Sequence, residues 1–417
     1  MNPNSVLLLM LAVVGLSPAA HAAPCADGPV DPGIEALCGI DAPEDLVIFD
    51  DRYLIVSSMA PADSLFMIDT RDDAVSPMAT ALADPADGLR WGDSACAAPQ
   101  AIVSHGLDLS RDANGRWRLL VVSHGERESI EFFEVLTGNG NAPSLQWRGC
   151  VLTPEKALFN DVAGLPDGGY LATDPAGATW PRTRALLAIM GFDVGRVYRW
   201  SPESGHTVVP DSGAPYPNGI VLAPDASSFY LNVYFKGEVR HHSLETGALL
   251  GSVGVPKPDN TNWSSDGRLL VASHRGSIAS VVGAVEAAPG ERNSIPFAIV
   301  AVDPAQMTAT DLFVHDGSAL GGGTAAVDAG GSLYIGAFRG DRLLKVDLER
   351  SGRLFIGSTT LDRQGSHYGY SRNGRLTALG QTGYRHRLCS DYLRVERSVG
   401  RWQRKSGPGR PGGENGQ

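Results

Sequence analysis

The 417-residue sequence predicts an all-β fold, a six-bladed β-propeller closed around a central tunnel. Three observations carry that expectation. A turn rich in Asp and Gly, followed by an apolar or β-branched strand, recurs six times. The chain holds 50 glycines and 27 prolines, a load that suits many short strands joined by tight turns. Polar residues also stand at one phase of the repeat, most of them six or seven residues ahead of the turn.

In chain order, the first element is a leader. Residues 6–16 form an apolar run, and Ala20-His21-Ala22 has the small-x-small form of a signal-peptidase site. The run is short for a membrane span, so cleavage near Ala22 or Ala23 and export are expected. An exported chain meets an oxidising compartment, where disulfides persist. Cys25, Cys38, Cys96 and Cys150 allow three pairings; proximity in sequence favours Cys25–Cys38 and Cys96–Cys150. Cys389 is left over, and no pair has zinc or redox spacing.

The propeller is expected over 24–350. Its repeated turns begin at Asp50, Asp112, Pro166, Pro224, Ser265 and Asp328, spaced by roughly 40 to 60 residues, the range of propeller blades. A further strand follows each hairpin, at 64–69, 130–135, 196–200, 238–243, 298–303 and 343–347. Six such units closed in a ring bury their faces against one another. Residues 178–190 break the pattern as a helix-like insertion in the third blade. That insertion is either a surface helix or a lid over the tunnel mouth in contact with apolar substrate or membrane.

Residues 351–417 carry 12 Lys and Arg against 4 Asp and Glu, and are rich in Gly, Arg and Ser, so this tail is expected to be disordered. The first 350 residues carry 23 Lys and Arg against 42 Asp and Glu. An acidic body argues against nucleic-acid binding and is compatible with cations.

The first strand of each blade lines the tunnel, so equivalent positions converge on the axis. Those positions hold Glu44, His105, Asn160, Asn218, Asp259 with Asn260, and Gly323 with Thr324. A lone Asn-Gly is a turn more often than a ligand; recurrence in one phase gives this set its weight. Glu44, Asn160, Asn218, Asp259 and Asn260 offer the oxygen ligands that calcium takes, without cysteine, which favours Ca2+ over Zn2+. Strand alternation turns Asp45 and Asp161 to the other side, where they and the Leu107 carbonyl are candidates for a second, deeper calcium. His105 enters the ring at the second blade and His124 ends the next strand of that blade, so antiparallel pairing can set them side by side, and a paired imidazole can act as base and relay. His274 ends the corresponding strand of the fifth blade and is expected at the mouth, whereas His206, His241, His242 and His315 are expected to be structural.

These stretches resemble the paraoxonase family of calcium-dependent lactonases and arylesterases, and more distantly the gluconolactonase-like propellers. The matching motifs are APEDL at Ala42, SHGLDL at Ser104, VVSHGE at Val121, FNDV at Phe159, PNGI at Pro217 and PDN at Pro258, in the family's order. The resemblance implies a catalytic calcium on Glu44, Asn160, Asn218, Asp259 and Asn260, a structural calcium on Asp45, Asp161 and the Leu107 carbonyl, a His105–His124 dyad, and a covering helix at 178–190. It implies hydrolysis of a lactone or ester. Three features depart from the family, one of them the wall residues after Ala172-Thr173-Asp174, which bears on substrate preference more than on metal binding. No long N-terminal anchoring helix is present, and the last blade strand lacks the cysteine that closes the ring in animal members, so closure must rest on strand pairing. The competing expectations are a sugar lactonase of the gluconolactonase type and a non-catalytic extracytoplasmic binding propeller.

Overall fold

The computed structural model describes residues 30 and 32–348, apart from 61–63, 113, 139–141 and 178–181, together with two short strands further on. The chain divides into two compact units, 1–354 and 355–417. In the second, His367–Tyr370 pairs antiparallel with Leu376–Leu379; the rest of the tail, like the leader at 1–23, lies outside the described residues.

The sequence's turn signals become real turns. Each of the six contains a residue with positive φ: Asp50, Gly115, Gly168, Ala226, Gly267 and Gly330. The apolar runs after them are the second strands of six antiparallel sheets. The first blade is Pro43–Phe49, Tyr53–Ser58, Leu65–Asp69 and Ala74–Pro77. The second is Ser104–Arg111, Trp117–Ser123, Ser129–Leu136 and Ser144–Leu152, with Thr80–Ala81 and Trp91–Gly92 added in parallel on its outer strand. The third is Val162–Gly164, Tyr170–Asp174, Arg196–Ser201 and Gly205–Val208. The fourth is Pro217–Leu222, Ser228–Val233, Glu238–Ser243 and Leu249–Gly254, and the fifth Pro258–Trp263, Leu269–His274, Phe297–Asp303 and Thr308–His315. The sixth takes Gly323–Ala329, Ser332–Ala337 and Arg342–Asp347 from the end of the propeller and Ile34–Cys38 from its beginning.

Burial follows from this order. Among the described residues six separate apolar clusters occur, one between each pair of neighbouring blades, and one of them joins blade six to blade one. Every inner strand therefore packs on both faces, which is why its apolar residues run continuously rather than alternating. Ring closure rests on backbone pairing, as expected: Ile34 stands opposite Val346 and Cys38 opposite Arg342. The expected Cys96–Cys150 disulfide forms, tying 78–103 to the outer edge of blade two. Cys38 is also disulfide-bonded; Cys25, its expected partner, lies outside the described residues.

Among the described residues two helices interrupt the blades, both between a second and a third strand. Arg182–Ile189 falls where the third-blade insertion was expected. Ile278–Val285 in blade five was not anticipated, because its run of Ile and Val reads as a strand. Its start was marked by Ser277, whose hydroxyl accepts the Ser280 N–H as an N-cap. Among the described residues no helix is long and apolar enough to cross a membrane.

Ile34 is 4% exposed and packs in the cluster between blades five and six. Ile34→Ala should lower the free energy of unfolding by about 2 to 4 kcal/mol, measured by chemical denaturation. A change below about 0.5 kcal/mol, within the usual range for surface substitutions, would show that the closing strand does not hold the ring.

Candidate active site and metal centre

All six inner strands start at the same end of the tunnel, and the polar residues sit at those starts. The pairing registers show how they are presented. Pro43 pairs with Ser58 and Leu46 with Val56, so Glu44 and Asp45 share one partner, Ser57. The same one-residue bulge sets His105 and Gly106, Asn218 and Gly219, and Asp259 and Asn260 against single residues, and makes Thr324 the extra residue of blade six. In blade three Thr173 bonds Asn160 N–H through its carbonyl at 2.9 Å and Asp161 C=O through its N–H at 3.0 Å. Each blade thus delivers two adjacent residues to the axis where a regular strand delivers one.

The second residue of each pair is constrained by its neighbour. A Cβ on Gly106 would lie 2.6 Å from both the Asn160 carbonyl oxygen and Asp161 Oδ1. A Cβ on Gly219 would lie 2.4 Å from the Asp259 carbonyl oxygen and 2.7 Å from Asn260 Cα. The glycines of blades two and four therefore leave the room that Asp161 and Asn260 occupy.

These pairs also staple blade to blade. Asp45 Oδ2 accepts the Leu107 N–H of blade two at 2.8 Å, and Asp161 Oδ2 the Ile220 N–H of blade four at 2.7 Å. Gly106 N–H bonds the Asn160 carbonyl at 3.2 Å, and Thr324 Oγ1 donates to the Glu44 carbonyl at 2.6 Å. Asn232 in blade four donates to the Asp259 carbonyl of blade five.

The predicted ligand set comes together. Asn260 Nδ2 donates to Glu44 Oε1 at 2.8 Å across the tunnel. His105 Nε2 lies 3.3 Å from Asn160 Nδ2 and 3.7 Å from Glu44 Oε1. The Asn218 side chain hydrogen-bonds Asp259, and Asp259 feels the charge of Glu44. Glu44 Oε2, Asn160 Oδ1, Asn218 Oδ1 and Asn260 Oδ1 are all buried with no hydrogen-bond partner in the structure. A buried oxygen without a partner is costly, and four from four blades form a cradle that a hard cation fits. Among the described residues no group of three His, Cys, Asp or Glu has metal-holding geometry; most of this set is amide.

The deeper residues are crowded carboxylates. Burial pushes Asp45 well above the usual carboxylate range, and Glu44 beside it adds to the push. Asp161 is raised by burial and then by Asp45, and Asp259 by burial and then by Glu44. Burial also lifts Asp108 to about 6, against the pull of the Arg118 guanidinium. Each Asp45 and Asp161 oxygen already accepts one backbone N–H, from Leu46 and Leu107 and from Val162 and Ile220. Leu107 meets Asp45 through its N–H.

The histidine pair is formed as well. His105 Nδ1 lies 2.9 Å from His124 Nε2, and His124 Nδ1 lies 2.6 Å from Glu128 Oε2. His274 is buried rather than open at the mouth, with Nδ1 2.8 Å from Tyr234 Oη and Nε2 3.3 Å from Asp259 Oδ2. Burial holds it near 4, so it is a neutral ring lying beside Asp259. His206 bonds Tyr170 Oη and is likewise pushed down to about 4 by burial, the structural role expected of it. Tyr216, Tyr234 and Phe235 pack edge to face, and Phe338 packs against His274. Sequence reasoning missed this aromatic wall and Glu128, because neither occupies a repeated position.

Each raised carboxyl holds its proton more tightly in the folded chain than in the unfolded one. The stability of ion-free protein is therefore full in the acid range and falls as pH rises through about 6, the Asp108 value, and beyond. Protein stripped of divalent ions should melt higher near pH 5 than near pH 7, roughly one unit either side of that value; equal melting temperatures would contradict the carboxylate crowding.

Comparison with known proteins places these elements. The Arylesterase family profile matches residues 55–347, which include all the predicted site residues except Glu44 and Asp45. Strictosidine synthase-like 3 of Arabidopsis thaliana is 30% identical over 120 residues, 28% of this chain and 30% of that protein, so the match spans less than a third of the relative. Among solved structures, a luciferin-regenerating enzyme superposes with a TM-score of 0.46 at 13% identity, over 76% of this chain and 95% of that one. A gluconolactonase from Xanthomonas campestris gives a TM-score of 0.45 at 16% identity, over 78% and 93%.

Proposed function

The chain belongs to the Arylesterase family, and on that premise we propose that it is a calcium-dependent hydrolase of lactones and aryl esters that works at its tunnel mouth. One observation carries the reading: four buried, partnerless oxygens on four blades lie beside a histidine pair. Glu44, Asn160, Asn218, Asp259 and Asn260 would hold the catalytic calcium, and Asp45, Asp161 and the Leu107 carbonyl a structural one. Such an ion polarises an ester carbonyl and stabilises the charge that develops on its oxygen.

The chain's own groups supply the rest. His105 Nε2 faces the cradle and takes a proton from the attacking water. His124, bonded to His105 Nδ1, shares the charge that this creates. The resulting imidazolium returns the proton to the departing alkoxide or phenoxide. No side-chain nucleophile is required. The wall of Tyr216, Tyr234, Phe235 and Phe338 favours an apolar or aryl substrate over a hydrophilic sugar lactone. Leu187, Met190 and Phe192, on and just after the third-blade helix, are exposed, and we assign 178–190 the role of lid and apolar contact. The Cys96–Cys150 disulfide supports an exported protein, with 1–23 as its targeting segment.

His105→Gln should lower kcat on phenyl acetate by about 10² to 10⁴ while calcium affinity, read by isothermal titration calorimetry, stays within a few-fold. Glu44→Gln should instead weaken calcium binding itself. Full turnover in excess chelator would defeat the metal reading, and an unchanged rate in His105→Gln would remove the base.

A further inference from the structure

We infer that Glu128 is a positioning residue that sets the direction of the histidine pair, so that the working unit is a three-membered relay from Glu128 through His124 to His105. The inference rests on the reading of His105 as the base and goes beyond it. It comes from the order of donors and acceptors. An ionised carboxylate can only accept a hydrogen bond. At 2.6 Å from Glu128 Oε2, His124 Nδ1 must therefore carry the proton. In a neutral ring that leaves His124 Nε2 as an acceptor, so at 2.9 Å the proton between the rings belongs to His105 Nδ1. His105 Nε2 is then the unprotonated nitrogen, and it is the one that lies 3.3 Å from Asn160 Nδ2 and 3.7 Å from Glu44 Oε1. Without a fixed acceptor at the far end, both rings can take the opposite tautomer, which places a proton on the nitrogen that has to accept one.

The segment bearing Glu128 is built to hold it. Arg127 does not compete for the carboxylate: its guanidinium bonds Glu131 Oε1 at 3.0 Å and Cys150 Sγ at 2.9 Å. Glu131 is buried and also receives Ser129 Oγ and Trp147 Nε1. Thr153 N–H bonds the Glu128 carbonyl at 3.1 Å, and a Cβ on Gly125 would lie 3.1 Å from the Ala101 carbonyl oxygen. The Glu128 side chain is 33% exposed, so its removal leaves no buried charge behind. When His105 takes a proton from water at Nε2, its Nδ1 proton can pass to His124 Nε2. His124 is then the cation, facing the carboxylate, and the transfers reverse as the leaving group departs.

Glu128→Ala, Glu128→Asp, His124→Gln, His105→Gln and Glu128→Ala/His124→Gln should be compared on phenyl acetate with saturating calcium. Glu128→Ala should lose about tenfold to a hundredfold in kcat with KM within twofold, and Glu128→Asp should recover part of the loss. The double variant should be no slower than His124→Gln alone, because Glu128 acts through that ring. Proton NMR of the wild type should show a far-downfield imidazole N–H that disappears in Glu128→Ala and persists in His105→Gln. If Glu128→Ala keeps wild-type kcat while His124→Gln and His105→Gln are impaired, or if the losses multiply in the double variant, the relay is wrong and the histidine pair stands. If His105→Gln and His124→Gln are both fully active, the reading beneath it falls instead.

Discussion

Everything at the tunnel mouth follows from crowding. Six strands start around one axis, and bulges in five of them, with the Thr173 bonds in blade three, bring two residues there rather than one. Twelve side chains do not fit. Blades two and four answer with Gly106 and Gly219, and blade six with Gly323, whose own Cβ would lie 2.7 Å from the Phe297 ring. The space that Gly106 and Gly219 release is filled from blades three and five by Asp161 and Asn260, and that at Gly323 by the Phe297 ring. Polar atoms are thus concentrated where solvent is excluded, and their carboxyls are pushed up by burial and by one another. On the proposed reading, a cation bound there would remove the cost of that crowding by neutralisation and ligation.

The architecture was legible because a propeller writes itself as a repeat. The turns at Asp50, Asp112, Pro166, Pro224, Ser265 and Asp328 each needed a left-handed residue and had one. The residues ahead of them could be placed on one level by phase alone, which brought Glu44, Asn160 and Asn260 together before any contact was known. Phase does not encode a bulge, so the reach of Asp45 to Leu107 N–H and of Asp161 to Ile220 N–H was invisible, as was the reason for the glycines between them.

What the sequence hid lies outside the repeat. Glu128 lies in a loop after a second strand, where a glutamate is ordinarily solvated. Its relation to His124 depends on the path of Gly125 to Ser129, and that path depends on Arg127, Glu131 and the Cys96–Cys150 bridge. The helix at Ile278–Val285 was hidden for a different reason: β-branched residues are poor helix formers, and only its cap spoke for it. His274 was given the correct strand end, but packing against Tyr234 and Asp259 buries it as a neutral ring rather than leaving it open at the mouth.

The closing strand has a bearing on how the molecule is made. Ile34–Cys38 is the outer strand of the sixth blade, yet it is synthesised first, roughly three hundred residues before the Arg342–Asp347 strand it pairs with. Until translation reaches that point, its backbone donors and acceptors have no native mate, and each intermediate ring is open at the gap it will fill. Pairing over so large a separation is entropically slow and leaves an adhesive edge exposed meanwhile. The nascent chain therefore passes through a long interval in which the edge of Ile34–Cys38 is uncovered, and the ring closes only once Arg342–Asp347 has been made and docks against it.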